Sequence, residues 1–176
     1  MPEFEPITGR YFTMEVDGKP CRIYVEEAGS GIPLVCLHTA GSDARQYRHL
    51  LCDKTITDHY RVIAFDLPWH GKSNPPPGFR EDEYKLTTDL YKETVMAFCD
   101  AYELVDPVVM GCSMGGRVVL HLALGQADYF KAVIALEGSD KLDAYYDLDW
   151  LHRPDVHGGE IASAFVSAQV APQSPD

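Results

Sequence analysis

Apolar residues fall in short dense runs separated by polar stretches. Pro33-Leu34-Val35-Cys36-Leu37, Val62-Ile63-Ala64-Phe65 after Arg61, Val108-Val109-Met110 and Ala132-Val133-Ile134-Ala135-Leu136 are continuous and rich in β-branched residues. A strand with one wet face alternates, whereas a continuous run marks a strand covered on both faces. Ahead of these runs, Arg10 to Val16 and Cys21 to Glu26 do alternate, and Asp17-Gly18 between them is a tight-turn dipeptide. That stretch predicts a β-hairpin. Between the runs, apolar positions return at helical spacing. Ala44 to Cys52 predicts a short helix with Tyr47, Leu50 and Leu51 on one face and Asp43 as its cap. Leu86 to Leu104 predicts a longer one, with Leu90, Val95, Phe98 and Tyr102 in line and Thr87 or Thr88 at its start. A third helix, carrying Val118, Val119, Leu122 and Ala123, follows the Val108 strand.

Strand and helix in alternation specify an α/β fold, a mostly parallel sheet with helices on both faces and an antiparallel hairpin at its margin. Residues 1–140 carry this pattern. From Lys141 the character changes to aromatic and acidic (Tyr145, Tyr146, Asp147, Asp149, Trp150), then Gly158-Gly159, then an amphipathic stretch from Ile161 to Val170. Residues 141–176 therefore predict the start of a cap or lid over the carboxyl end of the sheet.

Composition narrows the function classes. With 176 residues, 45% apolar and 24% charged, the chain is an ordinary globular sequence long enough for one core. Its net charge of −12 repels phosphate backbones, so nucleic acid is not an expected partner. No apolar run nears the roughly 20 residues of a membrane span, so no membrane partner is expected. Met-Pro-Glu-Phe-Glu-Pro lacks the basic flank and apolar core of a signal peptide, and five scattered cysteines without C-x-x-C read as free thiols. Both point to the cytoplasm. No H-x-x-x-H pair, C-x-x-C pair or glycine-rich phosphate loop occurs, so neither a metal nor an organic cofactor is expected.

The chemistry concentrates at Gly111-Cys112-Ser113-Met114-Gly115-Gly116, between the Val108 strand and the helix after it. A serine on a sharp strand-to-helix turn takes a strained backbone conformation with its hydroxyl outward. Side chains two residues before and after it would collide, so glycine sits at both places. The helix turns its N-terminal partial charge toward the serine, and the Met114 N–H can donate to an oxyanion.

With His38-Thr39-Ala40-Gly41 after one strand, Asp66-Leu67-Pro68-Trp69-His70-Gly71-Lys72-Ser73 after the next, and the Ser113 turn after the third, the chain resembles the amino-terminal part of an α/β-hydrolase over roughly residues 20 to 140. The resemblance implies that Ser113 is the nucleophile and that the N–H groups of Ala40 and Met114 form the oxyanion hole. Some members carry the triad acid directly after the sixth strand, which makes Glu137 the candidate. His38, Thr39, Trp69 and Cys112 border the site as candidate substrate contacts, although strand alternation turns the Cys112 thiol itself away from the serine. Thr39 and Trp69 stand where the family usually has glycine. They are expected to narrow and wall the acyl pocket.

The family's catalytic histidine follows an eighth strand, and this sequence reads as truncated after its sixth. None of its seven histidines stands at the base position. The Ala132 strand, read as covered on both faces, should not be a bare edge. A complementary C-terminal segment or a second chain is therefore expected to complete the enzyme, and a homo-oligomer is a further possibility. The function expected is hydrolysis of a small acyl substrate, an ester or a carbon–carbon bond next to a carbonyl, with the base supplied from beyond residue 176. Two alternatives stay open: a non-catalytic half-hydrolase that binds a partner, and acyl transfer or a lyase step at the same site.

Overall fold

The structure, a computed structural model, describes residues 4–81 and 86–140. Six strands form one sheet in the order β1-β2-β4-β3-β5-β6. β1 (Thr8–Val16) and β2 (Lys19–Ala28) are the hairpin, closed by Asp17 and Gly18, both at positive φ. β3 (Ile32–Leu37), β4 (Tyr60–Phe65), β5 (Val108–Cys112) and β6 (Ala132–Leu136) run parallel. β2 joins this block antiparallel, with Val25 beside Phe65.

Helices fill the crossovers. A 3-10 turn at Ala44–Tyr47 runs into α1 (Arg48–Cys52), and a single turn, α2 (Lys54–Thr57), follows. Asp43 caps the first turn by accepting from the Arg45 N–H at 3.0 Å, as its position predicts. α2 has no apolar period to announce it; Asp53 starts it by accepting from the Thr55 N–H at 2.8 Å. α3 (Thr88–Ala101) opens at Thr87, whose hydroxyl accepts from the Leu90 N–H at 3.1 Å. α4 (Met114–Gly125) follows the Ser113 turn.

Alternation along each parallel strand splits the interior into two layers. Val35, Leu37, Ile63, Phe65 and Val109 face α3 and α4, meeting Val95, Phe98, Val118 and Leu122. Leu34, Cys36, Val62, Ala64, Val108 and Met110 face Tyr47 and Leu51 on the other side. The sheet is thus wetted on neither face at its centre, which is why these runs are continuously apolar. Burial holds the Cys36 thiol far above its ordinary range and pushes Cys99 up to about 12.

β6 departs from expectation. Among the described residues it pairs only with β5, and Ile134 and Leu136 are 40% and 43% exposed. Its composition is that of a covered strand, yet among the described residues only its Val133 packs against the core. The expected cap, residues 141–176, lies outside the described residues, together with His152 and His157.

Candidate active site

Three strand ends meet at one level. Leu37 stands beside Gly111, and Cys112 beside Leu136. The residues after β3, β5 and β6 therefore leave the carboxyl edge of the sheet side by side.

Ser113 makes the turn after β5 at φ +53° and ψ −109°. A non-glycine residue held in such a region carries about 1–3 kcal/mol of strain. Two backbone bonds enforce it. The Ser113 N–H donates to the Leu136 carbonyl at 2.8 Å, and the Arg117 N–H donates to the Ser113 carbonyl at 2.8 Å. The Ser113 side chain makes no capping bond, and the residue is half-buried rather than packed inside. The flanking glycines are sterically required. A Cβ on Gly111 would strike the Gly115 backbone, and one on Gly115 would strike the Leu37 carbonyl. The obstacle at Gly115 is thus the neighbouring strand. A Cβ on Gly138 would lie 2.7 Å from the Gly116 carbonyl, so the loop after β6 rests directly on the start of α4.

The loop after β3 is tied down at both ends. His38 is 1% exposed. Its Nε2 accepts from the Leu67 N–H at 3.2 Å, which leaves the proton on Nδ1, donated to the Thr39 carbonyl at 2.8 Å. Burial lowers its pKa, so the ring is held neutral. Expected among the substrate contacts, His38 is instead enclosed and spends both nitrogens on backbone. The Thr39 N–H donates to Gln46 Oε1 at 2.9 Å, and the Ser42 N–H donates to the Thr39 carbonyl at 3.3 Å. That turn places Gly41 at φ +67°, the glycine position of a type II turn, with Ala40 exposed before it. Among the described residues, the N–H groups of Ala40 and Met114 have no hydrogen-bond acceptor.

The loop after β4 is built on Asp66, 2% exposed. Its carboxylate accepts from the Ala44 and Lys72 N–H groups, each at 2.7 Å, and the Ser73 hydroxyl donates to its carbonyl at 2.7 Å. Trp69 rides on this loop at φ +73°, edge-on to Phe79 with ring centroids 5.3 Å apart. The left-handed backbone explains why glycine is the expected residue there.

Glu137 follows β6 at φ +50° and is exposed. It shares the sheet edge with Ser113. Cys112 is half-buried next to Tyr47, whose buried phenol has Cys36 and Cys112 as neighbours. His70 Nδ1 lies 3.0 Å from the Pro68 carbonyl, with its ring 4.9 Å from that of His38. His49 and His59 are exposed. Among the described residues no three His, Cys, Asp or Glu side chains gather to hold a metal, and no helix is long and apolar enough to cross a membrane.

Sequence reasoning missed two residues here. Gln46 holds the β3 loop through a side-chain bond, and nothing in its local pattern distinguishes it from a surface glutamine. Arg117, one turn beyond Ser113, reads as a solvated helix position.

Comparison with known proteins places these features. A family model described as alpha/beta hydrolase fold matches residues 32–157. The chain is 33% identical over 109 residues to the dihydrolipoyllysine-residue acetyltransferase component of the acetoin cleaving system of Pseudomonas putida, covering 62% of this chain and 27% of that protein. It is 28% identical over 142 residues to the 2-hydroxy-6-oxononadienedioate/2-hydroxy-6-oxononatrienedioate hydrolase of Escherichia coli, covering 78% of this chain and 47% of that protein. A solved thermophilic esterase from Thermogutta terrifontis superposes with a TM-score of 0.66 at 21% identity, over 78% of this chain and 48% of the esterase. The chain thus spans less than half the length of each.

Proposed function

This chain belongs to the alpha/beta hydrolase fold family, and from that premise we propose that it carries the nucleophile half of a serine hydrolase for a carboxylic ester or a carbon–carbon bond next to a carbonyl. The strained conformation of Ser113 carries the reading: nothing in the packing requires a serine at φ +53°, whereas an outward hydroxyl at a helix N-terminus does. Ser113 Oγ attacks the acyl carbon and its proton passes to a base. The tetrahedral oxyanion lies against the N–H groups of Ala40 and Met114, each worth about 3 kcal/mol of transition-state stabilisation. Collapse expels the leaving group, which takes the proton from the base. Water, deprotonated by the same base, then frees the acid and restores the serine.

The described histidines are otherwise placed: His38 is enclosed with both nitrogens engaged, His70 Nδ1 lies against the Pro68 carbonyl, His121 is on α4 two turns past Ser113, and His49 and His59 are on the surface. The base is a histidine from beyond residue 176, oriented by Glu137 as the acid. Thr39, Trp69 and Cys112 border the acyl pocket. The open edge of β6, with Ile134 and Leu136 exposed, supports a complementary segment or second chain continuing the sheet there. A stable, soluble monomer of this chain alone, by size exclusion with mass spectrometry, would count against that completion.

A fluorophosphonate probe, applied to the protein together with the segment that supplies its base, tests the central reading. Phosphonylation of Ser113 with loss of fluoride, abolished in Ser113→Ala, is expected. A folded sample that takes no label favours a binding module instead. The likeness to an acetyltransferase component makes acyl transfer the second reading, and partition of product between water and an added alcohol separates the two.

A further inference from the structure

A cavity of about 300 Å³ opens between the first turns of α3 and α4, lined by Thr87, Thr88 and Tyr91 on one side and Met114 and Arg117 on the other. It begins at Met114, the residue after Ser113, so it adjoins the reacting position. Its one cationic lining residue is Arg117. Among the described residues Arg117 has no carboxylate partner, and its Nε is shut off from solvent without an acceptor. An unmet buried donor on a charged group is costly.

A shortage of anions does not explain this. The chain has 27 acidic residues against 15 basic. Arg10 and Arg61 pair with Glu27, Arg45 with Asp43, Lys72 with Glu26 and Lys92 with Asp89. Among the described residues Arg117 is left without a carboxylate in the cleft, while these surface cations each have one. One further feature favours negative charge in the same space: the N-terminus of α4, at Met114, has no side-chain cap.

We infer that this cavity receives a carboxylate on the substrate, so that the acyl chain cleaved at Ser113 ends in an acid group held by the Arg117 guanidinium. This rests on the hydrolase reading and deepens it, from acyl compounds in general to half-esters or keto acids with an anionic terminus. A planar guanidinium fork matches a carboxylate in two parallel bonds. The chain's net charge of −12 disfavours a dianionic phosphate more than a singly charged carboxylate.

The test compares the para-nitrophenyl monoester of glutaric acid with para-nitrophenyl pentanoate, which has the same chain length and no terminal charge. Wild type, with the base-bearing segment present, should prefer the glutaryl ester. Arg117→Gln should lose that preference by about ten- to a hundred-fold, chiefly in KM, the size expected when a hydrogen bond to a charged group is lost. Arg117→Lys should recover part of the preference. Equal use of both esters by wild type, or an equal loss on both in Arg117→Gln, overturns the inference.

A binding readout separates it from the hydrolase reading. Glutarate should raise the Tm of Ser113→Ala but not of Ser113→Ala/Arg117→Gln. If glutarate binds through Arg117 while the fluorophosphonate fails to label, the carboxylate site stands and the hydrolase reading falls. If labelling succeeds and glutarate does not bind, the reverse holds. Protection by inorganic phosphate in place of glutarate overturns the carboxylate assignment.

Discussion

The Ser113 N–H donates to the Leu136 carbonyl at 2.8 Å, tying the turn after β5 to the end of β6. The serine's strained backbone is thus held by a neighbouring strand. Removing Cβ should release strain that the hydroxyl alone does not cause. Ser113→Gly is expected to stabilise the fold by about 1 kcal/mol, strain relief of about 1–3 kcal/mol less the added freedom of the unfolded chain. Ser113→Ala keeps the strain and should leave stability within about 0.5 kcal/mol. Urea unfolding of both variants decides it, and stabilisation by Ala as large as by Gly would show that the backbone is not the source.

Two glycines of α4 make a matched pair. A Cβ on Gly115 meets the Leu37 carbonyl, whereas one on Gly125 meets nothing within 4 Å. Gly115→Ala should force α4 off the sheet and destabilise by about 2 kcal/mol or more, in the range of overpacking. Gly125→Ala should stabilise by about 0.5–1 kcal/mol through helix propensity. Midpoints of thermal or urea unfolding for the two variants should move in opposite directions.

The contrast between these glycines shows what a single sequence reveals. The parallel strands were legible because burial on both faces leaves continuous apolar runs, and Val108 to Met110 and Ala132 to Leu136 lie in strands where expected. Helix starts were legible at Asp43 and Thr87 because a side-chain cap is a local device. Long-range effects were not. The pairing of β2 with β4 depends on residues 25 and 65 meeting in space. The same holds for the Gln46 bond to Thr39 and the enclosure of His38. The exposure of β6 has a related cause: its residues suit a covered environment that the described residues supply only in part.

Trp69 is the costliest local choice in the loop after β4. Its φ of +73° suits glycine, and its ring packs edge-on to Phe79 at 5.3 Å. Strain of about 1–2 kcal/mol opposes an aromatic contact of about 0.5–1.5 kcal/mol plus area burial. Trp69→Gly should therefore change stability by less than about 1 kcal/mol. If the indole walls the acyl pocket, the same variant should broaden acyl-length selectivity, read as kcat/KM across para-nitrophenyl esters of increasing chain length. An unchanged selectivity profile would place the indole outside the pocket.

Acid should loosen this half of the site through His38. The ring is neutral in the fold, accepting from the Leu67 N–H at 3.2 Å and donating to the Thr39 carbonyl at 2.8 Å. Burial sets its folded pKa below the ordinary 6.5, so between the two values the unfolded chain binds more protons than the folded one. Stability from this group is full above pH 6.5 and falls as pH drops below it, flattening only beneath the folded pKa. Asp43 works in a lower window. The Arg45 guanidinium holds its carboxyl below the ordinary 3.8, so its contribution persists above that pH and is lost on further acidification. Measured between pH 7.5 and pH 5.5, about one unit either side of an ordinary histidine, wild type should lose Tm progressively. His38→Gln supplies a donor and an acceptor without titrating, and its profile should be flatter. Because Asp43 stays ionised throughout that range, equal slopes for the two proteins would assign the acid sensitivity to another group and free the β3 loop from dependence on a neutral imidazole.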